Sequence, residues 1–152
     1  ASKFSIAGLF KLPGYRQAER EAIERAAMWL ERLKLTHLAD DAAGDLPYGI
    51  QRRIEIARAL CVDPLLLCLD EPAAGLNPQE TEALSRMIRV LRDEHDITVV
   101  LIEHDMGMVM SISDHIVVLD HGNVIAEGAP QDIRHNPTVI AAYLGADEEE
   151  LV

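Results

Sequence analysis

The chain has 152 residues, 49% of them hydrophobic, with 26 acidic against 14 basic side chains and a formal net charge of -12. A domain of this length buries roughly 70% of its unfolded surface, enough for a core without disulfide or metal staples, which argues against intrinsic disorder. The acidic excess, with a sequence pI near 4.8, argues against a protein that mainly neutralises nucleic-acid phosphates or coats anionic lipid, because both tasks need a basic face.

In chain order, Lys3 and the apolar Phe4 to Phe10 stretch resemble a short signal peptide but lack a small-residue cleavage site, and read as part of the folded protein. After Gly14, Ile23, Ala26, Ala27, Leu30 and Leu33 recur at helical spacing, predicting an amphipathic helix whose other face carries Glu19, Arg20, Glu24 and Arg25. A polar stretch from Thr36 to Asp45 leads into Leu46-Pro47-Tyr48-Gly49 and a second helix with Ile50, Ile54, Ala57 and Leu60 on one face. Its Arg52, Arg53 and Arg58 are expected to face solvent or to pair with acids such as Glu55.

The unbroken apolar runs Leu65 to Leu69 and Thr98 to Ile102 have the character of parallel strands buried on both faces. No run reaches the ~18 to 20 residues of a membrane helix. Between them, Asn77 as N-cap, Pro78 in the first turn and Glu80 as the returning acid predict a helix with a Leu84, Met87, Ile88 and Leu91 stripe. A short helix carries Met106, Val109 and Met110, with the methionines there as packing. His115 to Leu119 meets Val124 to Ala126 across an Asp120 to Asn123 turn, two short helices start at Pro130 and Pro137, and an acidic tail runs from Asp147 to Glu150. Strands alternating with helices predict an α/β fold with a largely parallel sheet. Cys61 and Cys68, without CxxC spacing or a nearby histidine, read as buried reduced thiols.

The chemistry-bearing pattern is an apolar strand ending in Asp70-Glu71, a Gly75-Leu76-Asn77-Pro78 loop, and a second apolar strand ending at His104. In open α/β sheets ligands sit outside the carboxyl ends of strands, so these groups converge on one edge. An aspartate there can hold magnesium, a neighbouring glutamate can orient or deprotonate a water, and a histidine can contact a transferring phosphate. Singly, each residue is a weak signal, and for an isolated Asp-Glu pair polar capping of a strand is the favoured reading.

Together they resemble a known family. Leu46-Pro47-Tyr48-Gly49-Ile50-Gln51-Arg52-Arg53, then Ile56 to Leu60, then Leu67-Cys68-Leu69-Asp70-Glu71-Pro72 are similar to the signature segment and Walker B strand of ABC transporter ATPases. Gly75 to Pro78 resembles their D-loop and His104 their switch histidine. Ile102 to Met106, Ile125 to Gly128 and Tyr143 to Gly145 are similar to the LivG type, which serves branched-chain amino acid uptake.

The resemblance implies a P-loop NTPase (RecA-like) fold, with residues 1–62 as part of a helical subdomain and 63–152 as the C-terminal part of the core. It implies ATP and Mg2+ as cofactors, Asp70 in the magnesium shell, Glu71 as catalytic carboxylate and His104 at the γ-phosphate. Leu46, Pro47, Tyr48, Gly49, Ile50 and Gln51 would face ATP held by a second ATPase subunit, LivF-like or identical, and Gly75, Leu76 and Asn77 would lie at that dimer interface. Further implied partners are integral membrane permease subunits and, indirectly, a periplasmic or extracellular amino acid binding protein, with the chain peripheral on the cytoplasmic face and no nucleic acid bound.

Pro47 and Ile50 depart from the family pattern of a small residue and a glutamine; proline offers no N–H or hydroxyl and isoleucine no amide, though Pro47 also suits a helix start and Ile50 packing. The lysines Lys3, Lys11 and Lys34 follow Ser2, Phe10 and Leu33, so the Gly-Lys pair of a phosphate-cradling P-loop is absent. The expectation is the C-terminal half to two-thirds of an ATPase subunit, inactive alone. The other readings are a non-catalytic interaction module, an SMC- or Rad50-like ATPase half, for which no heptad run precedes the signature, and a metal-dependent phosphohydrolase using His104, Asp105 and Asp70.

Overall fold

The computed structural model describes residues 13–144, and they divide into two compact units, one running to Leu67 and including Asp96–Thr98, the other made of Cys68–His95 and the residues from Val99 onward. The amino-terminal segment Phe4 to Phe10 and the acidic tail Asp147 to Glu150 lie outside the described residues.

In the first unit, α1 (Pro13–Arg32) packs against α2 (Tyr48–Leu60). The Lys34 N–H donates to Glu31 O at 2.9 Å and the Leu35 N–H to Leu30 O at 2.7 Å, with Lys34 at φ 58, which closes α1 in a Schellman motif. Trp29, Leu33 and Leu35 are buried, whereas Ile23, expected in the buried stripe, is 64% exposed and Ala27 is exposed. Periodicity marks the face that a helix can bury; a neighbour covers only its last turns. On α2, Ile56, Ala57 and Leu60 are buried. The Arg25 guanidinium donates to Cys61 O at 3.1 Å and pairs with Asp63 at 3.2 Å. Arg52 pairs with Glu55 as expected, but Arg53 turns inward and donates to Leu33 O at 2.7 Å, and burial lowers its pKa.

β1 (Leu66–Asp70) and β2 (Thr98–Ile102) form a two-stranded sheet. Thr98 N–H donates to Leu65 O at 3.0 Å and Glu71 N–H to Ile102 O at 2.9 Å, a progression in the same direction along both chains that makes the pair parallel. Burial on both faces is not observed. Leu67 is buried while Leu66 is 51% exposed, and on β2 Val100 and Ile102 are 48% and 60% exposed. An apolar run shows what a strand is able to bury, not what is present to cover it. Cys68 lies on the uncovered side of this alternation, so it is exposed, and Cys61 is half-buried; both are free thiols, against the expectation of burial.

In the second unit, α3 (Pro78–His95) buries Leu84, Met87, Ile88 and Leu91 as its pattern predicts, and the Ser85 hydroxyl, also buried, donates to Thr81 O. It packs against α4 (Met106–Ile112), where the Arg92 guanidinium donates to Ile112 O at 2.8 Å and to Asp114. β3 (Ile116–Asp120) and β4 (Asn123–Gly128) form an antiparallel hairpin, closed by His121 at φ 45 and Gly122 at φ 79 as a two-residue turn. The register shifts between Val118 and Leu119, so Ile125 is the bulged residue. α5 (Pro130–Arg134) and α6 (Pro137–Val139), continued by a π-helical turn at Ile140–Leu144, cover the hairpin's inner face. The core there is Ile116, Val118, Ala126, Ile133 and Val139, with Met106, Val109 and Met110 against it. The expected single sheet is thus two separate two-stranded sheets among the described residues, one parallel and one antiparallel. No described helix is long and apolar enough to cross a membrane.

Candidate functional site

Parallel pairing sets the geometry of the catalytic candidates. Because the Glu71 N–H is bonded to Ile102 O, the residues that follow each strand emerge side by side, and His104 Nδ1 lies 3.8 Å from Glu71 Oε1. That distance is a close approach, too long for a hydrogen bond. Both side chains are open to solvent, at 72% and 56% exposure, and Asp70 is exposed at the end of β1. Glu71 has φ 42, an uncommon backbone for a non-glycine residue. The structure therefore brings Glu71 and His104 together, with Asp70 one residue away along the chain.

The loop after Glu71 is tightly bonded. Ala74 N–H donates to Glu71 O at 3.2 Å and Leu76 N–H to Ala73 O at 3.0 Å, and Gly75 turns the chain at φ 77, a conformation that favours glycine. Asn77 caps α3: its Oδ1 accepts the N–H groups of Gln79 and Glu80 at 3.0 Å each, while Glu80 Oε2 accepts the Asn77 N–H at 3.0 Å. Gly75 and Asn77 are exposed and Leu76 is half-buried. Asp105 Oδ1 accepts the Met108 N–H at 2.9 Å as N-cap of α4, which gives that acid a structural task. Among the described residues no group of three or more His, Cys, Asp or Glu side chains is placed to hold a metal by itself. An exposed strand-end carboxylate beside a second one nevertheless suits magnesium, which takes one or two protein carboxylates and completes its shell with water and phosphate oxygens.

Glu103 is a functional candidate that stands apart from the Asp70, Glu71 and His104 pattern. Continuing the alternation of β2 puts His104 outward and Glu103 inward, and the Glu103 side chain is 1% exposed. An acid one step beyond an apolar strand, in phase with its covered face, is the signal that could have found it.

In the first unit the signature-like segment forms the start of α2. Pro47 is the N-cap residue, and its carbonyl accepts the N–H groups of Ile50 at 2.9 Å and Gln51 at 3.0 Å. Tyr48 is 47% exposed with the Arg52 guanidinium 5.1 Å from its ring centroid, Gly49 is buried, and Leu46 and Ile50 are half-buried. The Gln51 amide donates to Leu46 O at 2.8 Å, so it braces the helix entry. The first-turn N–H groups of Tyr48 and Gly49 have no intrahelical acceptor, as at any helix start.

A family model described as "ABC transporter" matches residues 6–74, and one described as "Branched-chain amino acid ATP-binding cassette transporter" matches residues 123–149. The chain is 60% identical to the high-affinity branched-chain amino acid transport ATP-binding protein BraF of Pseudomonas aeruginosa, over 92% of this chain and 55% of that protein. It is 54% identical to LivG of Escherichia coli K12 with the same coverage. Among solved structures, the ADP conformation of MJ1267, an ATP-binding cassette of an ABC transporter, matches with TM-score 0.76 and 36% identity over 82% of this chain and 50% of that one. A nucleotide-free ATP-binding cassette matches with TM-score 0.76 and 32% identity over 93% of this chain and 56% of that one. The fold is thus that of part of an ABC ATPase cassette, a P-loop NTPase, and the chain spans about half the length of the relatives it matches.

Proposed function

We propose that this chain, which belongs to the family of ABC transporter ATP-binding proteins, supplies the hydrolytic edge of an ATPase subunit that energises branched-chain amino acid uptake. The observation that carries this reading is the approach of Glu71 Oε1 to His104 Nδ1 at the paired ends of β1 and β2. Glu71 is the carboxylate that orients and deprotonates the attacking water, and His104 contacts the γ-phosphate as charge develops on it. Asp70 would hold Mg2+, which when bound would neutralise phosphate charge.

Leu46, Pro47, Tyr48, Gly49, Ile50 and Gln51 form the segment offered to ATP on a second subunit, through the first-turn N–H groups and positive end of α2. Gly75, Leu76 and Asn77 form the D-loop contact with that subunit. Residues 1–62 belong to the helical subdomain and 63–152 to the core. The partners are a second ATPase subunit, LivF-like, and membrane permease subunits, with an amino acid binding protein acting through them, and the assembly works at the cytoplasmic face of the membrane.

ATP needs a cradle of backbone N–H groups and a lysine, and no Gly-Lys pair occurs in the sequence. The chain by itself is therefore expected to be inactive, and a cassette that joins it behind the upstream part of BraF is expected to hydrolyse ATP. Steady-state turnover with Mg2+ tests this: Glu71→Gln should lower kcat of the joined cassette by at least ~100-fold. Turnover by the isolated chain that Glu71→Gln abolishes would contradict the need for a cradle. A joined cassette that binds ATP but never turns it over would make the chain a non-catalytic module.

A further inference from the structure

Glu103 has no part in the chemistry assigned above, yet it is the most enclosed acid at that edge. A carboxylate with 1% of its side chain exposed is costly unless both oxygens are engaged. Here Oε1 accepts the Ala73 N–H at 2.7 Å and Oε2 accepts the N–H of His104 at 3.3 Å. One side chain thus grips the turn that follows Glu71 and the backbone that carries His104.

We propose that Glu103 is a positioning residue: its carboxylate sets the placement of Glu71 relative to His104. Glu71 sits at φ 42, and a residue is held in such a region only where its surroundings over-determine it. Three hydrogen bonds do so in this turn. Glu71 N–H to Ile102 O and Ala74 N–H to Glu71 O are backbone bonds that survive any change of side chain, whereas the Ala73 N–H depends on Glu103. An apolar residue at 103 could fill the space but would leave the buried Ala73 N–H unpaired. Glu103 Oε2 also lies 3.9 Å from His104 Nδ1, the same imidazole nitrogen that Glu71 Oε1 approaches at 3.8 Å, so moving the turn would change both approaches to that atom.

This inference rests on the catalytic reading of Glu71 and His104, and two measurements keep the failures apart. Amide hydrogen exchange of Ala73 and His104 in this chain is compared for wild type, Glu103→Gln and Glu103→Ala. Glutamine keeps a carbonyl acceptor for the Ala73 N–H, so Ala73 stays protected while His104 N–H exchanges faster; alanine exposes both amides, with exchange at least ~10-fold faster. In the joined cassette, Glu103→Ala lowers kcat by ~10- to ~100-fold with KM for ATP within about twofold of wild type, and Glu103→Gln recovers most of the loss.

Unchanged exchange at Ala73 and His104 in Glu103→Ala would overturn the proposal, as would faster exchange with unchanged kcat. If Glu103→Ala does not fold, Glu103→Gln decides: faster His104 exchange with the small residual kcat loss expected of glutamine, about two- to threefold, supports it, and wild-type values for both defeat it. A wild-type cassette without turnover overturns the catalytic reading and the positioning role with it, leaving the exchange arm to report only whether Glu103 fixes the turn.

Discussion

Lys34 closes the Schellman motif of α1 at φ 58, where a Cβ is a steric burden that glycine lacks. Lys34→Gly is expected to raise unfolding free energy by about 0.5–1 kcal/mol, read as a higher urea midpoint at constant slope. Asn77 gives the opposite case. Its side chain satisfies two first-turn N–H groups of α3 and Glu80 answers its own N–H, so Asn77→Ala should cost about 1 kcal/mol, with Asn77→Asp close to neutral. That reciprocal cap was readable from three residue types at fixed spacing, because capping is local. The Lys34 conformation was not, because lysine carries no sequence mark of a left-handed residue. Glu71 and His104 were legible as strand-end groups; the phase of Glu103 with β2 signals its burial, but its role was not legible, because that depends on Ala73, which lies on another strand's exit loop.

Elements were legible where their own pattern decides them. The α3 stripe Leu84, Met87, Ile88 and Leu91 is buried as read, and the hairpin follows from Gly122 within a polar turn flanked by β-formers. Leu91→Ala, at a side chain with no exposure, should cost about 2–5 kcal/mol. Gly122→Ala, at φ 79, should cost about 1 kcal/mol although nothing lies within 4 Å of the added carbon, so the penalty is conformational rather than steric crowding by neighbours. Thermal unfolding of both variants separates a cavity from a backbone cost by their size. The strands β1 and β2 lie where their apolar runs place them but are buried less than those runs imply. Apolar composition reports an element's demand for cover, and the α1 residue Ile23 shows the same gap between demand and supply.

For the whole molecule, that unmet demand has a consequence in solution. Val100 and Ile102 on β2, and Val117, Leu119 and Val124 on the outer side of the hairpin, are each about half exposed or more, and apolar strand faces of this kind drive self-association. The net charge of -12 opposes it by repulsion between copies. Salt screens that repulsion within about 8–10 Å at 0.1–0.15 M while leaving apolar attraction in place. Sedimentation velocity should therefore show the isolated chain associating more as NaCl rises, the reverse of an assembly held by ion pairs. Val100→Thr with Ile102→Thr should shift association to higher protein concentration and leave the chain's own melting temperature nearly unchanged, since neither side chain is fully buried. In the joined cassette the same pair should lower the melting temperature instead, because the upstream part would cover β2 and two hydroxyls would then be buried. Equal effects in both contexts would mean that β2 stays uncovered when the rest of the subunit is present.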